Sequence, residues 1–336
     1  MKKWIGIFLF LLCIPKFVHA EEQPSFSAIP VLTEDQKKGV SGYFSLRAEH
    51  GETMDLTVEL RNNTNAPIVI KMDGTNGLTT KNGGIQYTVE DETEFTGFWD
   101  DRYKMKERIK IQKEITLGVN ETKKIPVTVT VPEEGDGTFV GGLLFRPQFE
   151  EEKASVEEGD VRFEIESTFA YAMAIVLHVN DQEPNVKAED AYTSYAGKDM
   201  NLLINWKNLS PTISRITNVQ YNVMDDKDSV VFETNVKQIK MAPSTWIQYP
   251  LFWNGDVKAG EYQLHLTYEL EGESHERKIP FTIGEKKVNQ YIEDNQNRTD
   301  PVVVKNKTPF GIWVILFVLL AALVWILYKN KKKTKQ

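Results

Sequence analysis

The stretch HGETMDLTVELRNN, His50 to Asn63, alternates along its length: Met54, Leu56, Val58 and Leu60 fall on one face, Asp55, Thr57, Glu59 and Arg61 on the other. Period-two alternation between a glycine turn and a polar turn is the pattern of a half-buried β-strand. A close copy returns downstream as AGKDMNLLINWKNLS, Ala196 to Ser210. Gly51 aligns with Gly197, Met54 with Met200, Leu56 with Leu202 and Asn62 with Asn208. A second pair of landmarks follows in the same order, GTFVGGLLF (Gly137 to Phe145) and GEYQLHLTY (Gly260 to Tyr268). Each is followed by one further strand. Two matched landmarks in one order point to duplication, and the longer first interval implies an insertion of roughly twenty residues, which the loops of a sandwich tolerate.

Around these landmarks helical periodicity is nearly absent. GYFSLRA, PIVIKMD, IQYTVED and KIPVTVTVP are short apolar or alternating runs between Gly, Asn, Asp and Pro turns. The fold class expected is all-β: two tandem Ig-like β-sandwiches. NDQEPNVKAED, with a proline and mixed charge, reads as the linker between them, and the acidic EEEKASVEEGD as a solvated loop.

The chain's ends carry addresses. Residues 1–20 have a basic start, an apolar run from Ile5 to Ile14 and the small-residue exit VHA, the pattern of a secretory signal peptide. Cys13, the only cysteine, lies inside it and follows Leu12, where lipid attachment needs a small residue. The mature chain is therefore expected to hold no disulfide and no cysteine metal site. Phe310 to Tyr328 is uncharged and long enough for a transmembrane helix. Its Leu, Ile, Val and Phe favour insertion by roughly 4–8 kcal/mol. The tail KNKKKTKQ places the C-terminus in the cytoplasm by the positive-inside rule, and no sortase-type pentapeptide precedes the span. The expected order is signal peptide 1–20, first domain 21–180, second domain 181–284, stalk 285–308, membrane helix 309–328 and basic tail 329–336. The localisation expected is the cell membrane, single-pass, with the bulk outside.

The whole chain has a net charge of −8. Eight lysines sit in the signal and tail, so the exported part is more acidic still. Such a surface does not suit nucleic acid, which needs basic patches. Neither HExxH nor GxSxG occurs, and the four histidines beyond the signal (His50, His178, His265 and His275) are not spaced as metal pairs. The EEE and DD clusters lie in charged loops with no apolar pocket to raise one carboxyl, as a glycosidase requires. The reading is of a non-enzyme with no cofactor and no metal.

Binding candidates lie in the inserted region. DGTNGLTTKNGGIQYTV, Asp73 to Val89, reads as a long turn rich in Gly, Asn and Thr. EFTGFWDDRYKMKERIKIQ, Glu94 to Gln112, follows with four aromatics among acids and bases. Amides and hydroxyls beside Tyr87, Phe98, Trp99 and Tyr103 have the chemistry to hydrogen-bond and stack on a sugar chain; the competing reading is an elaborate hairpin with core aromatics. In the second domain, Trp246 and Trp253 flank IQYPLF, where Pro250 marks an edge or a bend. An exposed edge there, with Trp246, Tyr249 and Trp253, is a candidate for pairing with a partner strand.

GYFSLRAEHGETMDLTVELRNNT, then NGLTTKNGGIQY, then VGGLLF, together with the order of segments, resembles the WxL-interacting proteins of Gram-positive bacteria. The resemblance covers nearly the whole chain. It implies a first domain that binds peptidoglycan, a second that binds a protein partner or a host extracellular protein, and work beside WxL-domain proteins. Carried onto this sequence, it gives Asn76, Thr79, Thr80, Asn82 and Tyr87 a glycan-contact role, with Trp99 joined to them on its chemistry. A membrane-tethered chaperone for exported surface proteins would share this architecture and stays open as the alternative.

Overall fold

A computed structural model describes residues 24–148, 170–196, 199–253 and 257–289. The signal segment, the acidic loop, most of the stalk, the apolar stretch and the tail lie outside the described residues. Among those described, no helix is long and apolar enough to cross a membrane.

Among the described residues nineteen strands follow in chain order. In the first half they are β1 (Phe26–Val31), β2 (Phe44–Arg47), β3 (Thr53–Asn62), β4 (Ile68–Thr79), β5 (Ile85–Thr88), β6 (Glu92–Thr93), β7 (Thr96–Phe98), β8 (Ile109–Ile111), β9 (Glu114–Leu117), β10 (Thr122–Thr130), β11 (Gly137–Gln148) and β12 (Tyr171–Val179). In the second half they are β13 (Val186–Ala196), β14 (Asp199–Asn208), β15 (Ser214–Met224), β16 (Val230–Met241), β17 (Thr245–Phe252), β18 (Gly260–Leu270) and β19 (Glu273–Ile283). The first sandwich faces the sheet β1-β3-β10-β8 against β2-β12-β11-β4-β5, with β9 also on β4. The second faces β13-β14-β17-β7-β6 against β16-β15-β18-β19. Pairing is antiparallel except between β2 and β12.

The opening stretch is β3, and its copy is β14. Each is the second strand of its sheet, between one edge strand and one later strand. Met54, Leu56, Val58 and Leu60 are buried as the alternation requires, and so are Met200, Leu202, Ile204 and Trp206. Where β3 packs its aliphatic row, β14 ends in Trp206, which meets Tyr268 of the facing sheet edge-on at 5.1 Å. Aromatic pairs in this geometry add about 0.5–1.5 kcal/mol beyond area burial.

The polar residue closing each copy clasps the turn that follows. Asn62 is fully buried; its Nδ2 donates to Ala66 O at 2.7 Å and Gly118 O at 2.8 Å, and its Oδ1 accepts from Thr64 N and Oγ1. Asn208 does the same, donating to Thr212 O at 2.7 Å and Ala242 O at 2.9 Å and accepting from the hydroxyls of Ser210 and Ser214. The Asn-x-Thr/Ser spacing is thus turn chemistry, written twice.

Two expectations change. Asp73 to Thr79 is not loop: β4 continues through it, and only residues 80–84 turn. Its glycines mark close approach, since a Cβ at Gly74 would sit 2.7 Å from Ile109 O and one at Gly77 would collide with Val140. Nor does the chain divide cleanly near residue 180. The hairpin β6–β7, which precedes that point, completes the second sandwich by pairing with β17: Thr245 opposite Phe98, Trp246 opposite Gly97, Ile247 opposite Thr96. In the first sandwich β8 fills the corresponding place beside β10. One compact unit, ending at Glu285, therefore holds both sandwiches.

Candidate functional site

The inserted region splits its residues between the two sandwiches. Its second half plugs the first core. Tyr103 stacks on Phe139 at 5.0 Å and donates to Asp136 O at 2.8 Å, and Met105 is wholly buried. Gly141 and Gly142 make the room, since a Cβ on the first would lie 2.6 Å from Met105 Cβ and on the second 2.8 Å from the Tyr87 ring. Arg102 fixes the entry to this segment by hydrogen-bonding the Asp100 carboxylate, which holds that carboxyl below its usual range.

Asn76 anchors the same segment. It is buried, its Oδ1 accepting from the backbone of Met105 and Lys106 at 2.8 and 2.9 Å, and its Nδ2 donating to Asp91 at 2.8 Å. Burial works to raise the Asp91 carboxyl, but Lys106, Lys104 and Asn76 together hold it low. Thr79 is equally committed. Thr245 donates its hydroxyl hydrogen to Ala242 O, so in the 2.5 Å contact between the two threonines Thr79 is the donor, while its oxygen accepts from Ala242 N. These two glycan candidates fasten the fold and offer no open polar atom. Thr80 and Asn82 lie in the turn between β4 and β5, with Asn82 exposed. Tyr87 is half-buried against Val140, Ala174 and Val176 with Ile213 of the second sandwich, and burial, with Tyr43 nearby, pushes its phenol up to about 12.

The partner-strand candidates divide likewise. Tyr249 is 8% exposed and Trp253 is 1% exposed. Trp253 stacks on Phe232 at 5.1 Å and meets Tyr262 edge-on. Both belong to the second core. The edge at Trp246, expected to be open for a partner strand, is already filled by β7.

Two of the sequence candidates do converge. Gly97, Trp99, Trp246, Gln248, Lys207 and Asn205 share the outer face of the sheet that β7 completes, because residues opposite or two apart in a ladder point the same way. Trp99 donates its indole N–H to Asn208 O at 2.7 Å and its backbone N–H to Ser244 O. It remains 39% exposed, with Lys207 Nζ 5.3 Å from its ring centre. Trp246 lies over Gly97, where a Cβ would come within 3.0 Å of Nε1. Between them opens a cavity of about 160 Å³ lined also by Glu189, Asn205, Lys207 and Gln248. Asn205 Oδ1 is shielded there without a partner among the described residues.

Asn205, Lys207 and Gln248 were not singled out from the sequence. Their signal was the polar half of the alternation in β14 and β17, opposite Trp206 and Ile247. It becomes readable only once the two strands are known to be neighbours.

Among the described residues no group of His, Cys, Asp and Glu is arranged to hold a metal ion. The model of the WxL Interacting Protein peptidoglycan binding domain matches residues 26–147, and that of the WxL Interacting Protein host binding domain matches residues 160–293. Both matched domains are binding domains. No curated protein matches the chain. Among solved structures, a chain of the Salmonella enterica SafA pilin–SafB chaperone complex aligns at 9% identity over 79% of this chain and 99% of that one, with a TM-score of 0.31. One in the Acinetobacter baumannii CsuC–CsuE chaperone–tip adhesion subunit complex aligns at 8% identity over 69% and 94%, with a TM-score of 0.32. The Pseudomonas aeruginosa CupB2 chaperone gives 9% identity over 71% and 97%, with a TM-score of 0.30.

Proposed function

We propose that this chain, which belongs to the WxL-interacting protein family, is a non-enzymatic scaffold that joins peptidoglycan to WxL-domain proteins at the cell surface of a Gram-positive bacterium. The observation that carries the reading is the tandem of the two matched domains, 26–147 and 160–293, in one chain. Peptidoglycan falls to the first and a protein partner, from a WxL-domain protein or a host, to the second. The hairpin lent from the first sandwich to the second gives the pair a physical basis for acting together. A scaffold bearing load between two ligands needs its domains held, and strand pairing resists shear better than a flexible linker.

The remaining parts of the reading come from the sequence. Residues 1–20 export the chain and 309–328 anchor it, with the tail inside.

The test is co-sedimentation of the full chain, in mild detergent, with purified sacculi, with and without a WxL-domain protein encoded beside it. The chain is expected to pellet with sacculi and to carry more of the WxL-domain protein down than sacculi alone do. Failure to pellet in either condition overturns the scaffold reading and leaves the tethered chaperone, for which release of the client after folding is the readout.

A further inference from the structure

We propose that the cavity between Trp99 and Trp246 binds one pyranose ring of a glycan. The site is composite. Trp99 comes from the segment matched by the first domain model, and Trp246, Asn205, Lys207 and Gln248 from the segment matched by the second. Neither segment holds it alone, and it exists only because the β6–β7 hairpin crosses to β17.

The chemistry of the lining selects the ligand. The N–H of Trp99 is spent on Asn208 O, so what the side chain presents is its ring. Trp246 crowds Gly97, where a Cβ would stand 3.0 Å from Nε1 and 3.2 Å from Cε2, so this indole needs glycine beneath it. Two indoles on a sheet face otherwise populated by Lys207, Gln248 and Glu189 make an apolar platform with polar margins, the arrangement that suits a ring with an apolar face and hydroxyls at its edge. Asn205 lines the cavity with a side-chain amide whose Oδ1 has no partner among the described residues, so a turn of that amide offers a polar atom to a hydroxyl or an acetamido group that a purely apolar ligand would not use. A cationic ligand is disfavoured because Lys207 already stands 5.3 Å from the Trp99 ring centre. At about 30 Å³ per water, a cavity of about 160 Å³ displaces some five waters, which fits one ring and not a folded peptide. Phe252, 55% exposed, lies on the same face further along β17, roughly 20 Å from Trp246 at about 3.3 Å per residue, where a longer chain would pass.

Only the source of the ring depends on the wall-binding reading, and the test separates the two. Saturation-transfer NMR on the full chain in detergent would use three probes: an N-acetylglucosamine tetramer, a wall-derived disaccharide peptide and a galactose-terminated oligosaccharide of host type. Saturable transfer to ring protons is expected for the acetamido sugars, at least tenfold weaker in Trp246→Ala. Asn205→Leu, which leaves both indoles and the hairpin in place, should weaken it comparably. Transfer to the galactose probe alone, lost in both variants, keeps the site and assigns a host source. No transfer with any probe at millimolar concentration, or transfer unchanged in both variants, overturns the proposal. Pelleting with sacculi is followed in the same preparations: if it persists while Asn205→Leu loses the sugar signal, the pocket stands and wall binding resides elsewhere.

Discussion

Asn62 and Asn208 hold equivalent turns with equivalent bonds, yet their surroundings differ. In the first sandwich the sheet bearing the clasp is completed by β8, from its own segment. In the second it is completed by β7, from the other sandwich, and the backbone carbonyl of Asn208 receives the indole of Trp99. The strand plan around the two clasps recurs, and the lent hairpin joins the second sandwich to the first within one compact unit.

The largest effect expected is at the clasps. Asn208→Ala removes the hydrogen bonds its amide nitrogen donates and those its oxygen accepts, and Asn62→Ala removes the corresponding set in the first copy. At about 0.5–1.5 kcal/mol for each bond lost, each variant should lose roughly 3 kcal/mol in urea unfolding. Coupling by the hairpin predicts that both lower one shared transition. Two separate transitions, each moved by one variant only, would mean that the lent strand does not couple the sandwiches.

Next in size is a pair of glycines at matching places in the repeat. Gly137 has φ of +99°, and a side chain there would collide with Pro211 O across the sandwich boundary, where Thr138 N already donates at 2.7 Å. Gly260 is in open space but for the Tyr262 ring at 3.8 Å. Gly137→Ala should cost about 2 kcal/mol from the left-handed backbone conformation, with the collision adding to it, and Gly260→Ala should lie within about 0.5 kcal/mol of wild type. Equal midpoints in thermal unfolding would show that the boundary contact carries no stability.

The frame was legible because a strand's period and its closing asparagine are local features. The all-β class, β3 and β14, and the landmarks at Gly137 and Gly260 all came from such features. The candidate site was only partly so. Trp99 and Trp246 stood out as aromatics among polar residues, but nothing local says that residues 147 apart in sequence pair across one sheet edge. Glycines misled for a related reason. In β4 they mark the approach of Ile109 and Val140 from distant segments, and read alone they resemble a turn. Asn76, Thr79, Tyr249 and Trp253 carry suitable chemistry for ligands, yet burial, which depends on the whole packing, commits Asn76 and Thr79 to internal bonds and Tyr249 and Trp253 to the core.

A smaller change sharpens the role of the loan. Trp99→Phe keeps a ring over the cavity and removes only the donor to Asn208 O, a loss of about 1 kcal/mol. The expected readout is local: amide exchange at Gln248, whose N–H donates to Phe95 O at 2.9 Å, should quicken while exchange within β10 of the first sandwich stays unchanged. Quickening in both would mean that the hairpin also supports the copy that lends it.

The least effect, and the one that separates the copies by pH, is at His178. It lies on β12, with Nε2 3.0 Å from Ser45 Oγ; the matching place on β19 is Thr282, which does not titrate. Burial lowers the His178 imidazole, Lys37 and Arg47 add to that, and Asp181 opposes it. Asp35, Glu49 and Glu52 line the same cavity and complete the charged groups facing it. With a folded value below the unfolded one near 6.5, the contribution to stability is fully present above about pH 6.5 and is lost as pH falls through the folded value. NMR titration should place the His178 midpoint below the ordinary imidazole value near 6.5, and His178→Gln should flatten the stability profile below that pH. A midpoint at or above 6.5 would mean that Asp181 and the cavity's other carboxylates outweigh burial, reversing the sign of the pH dependence.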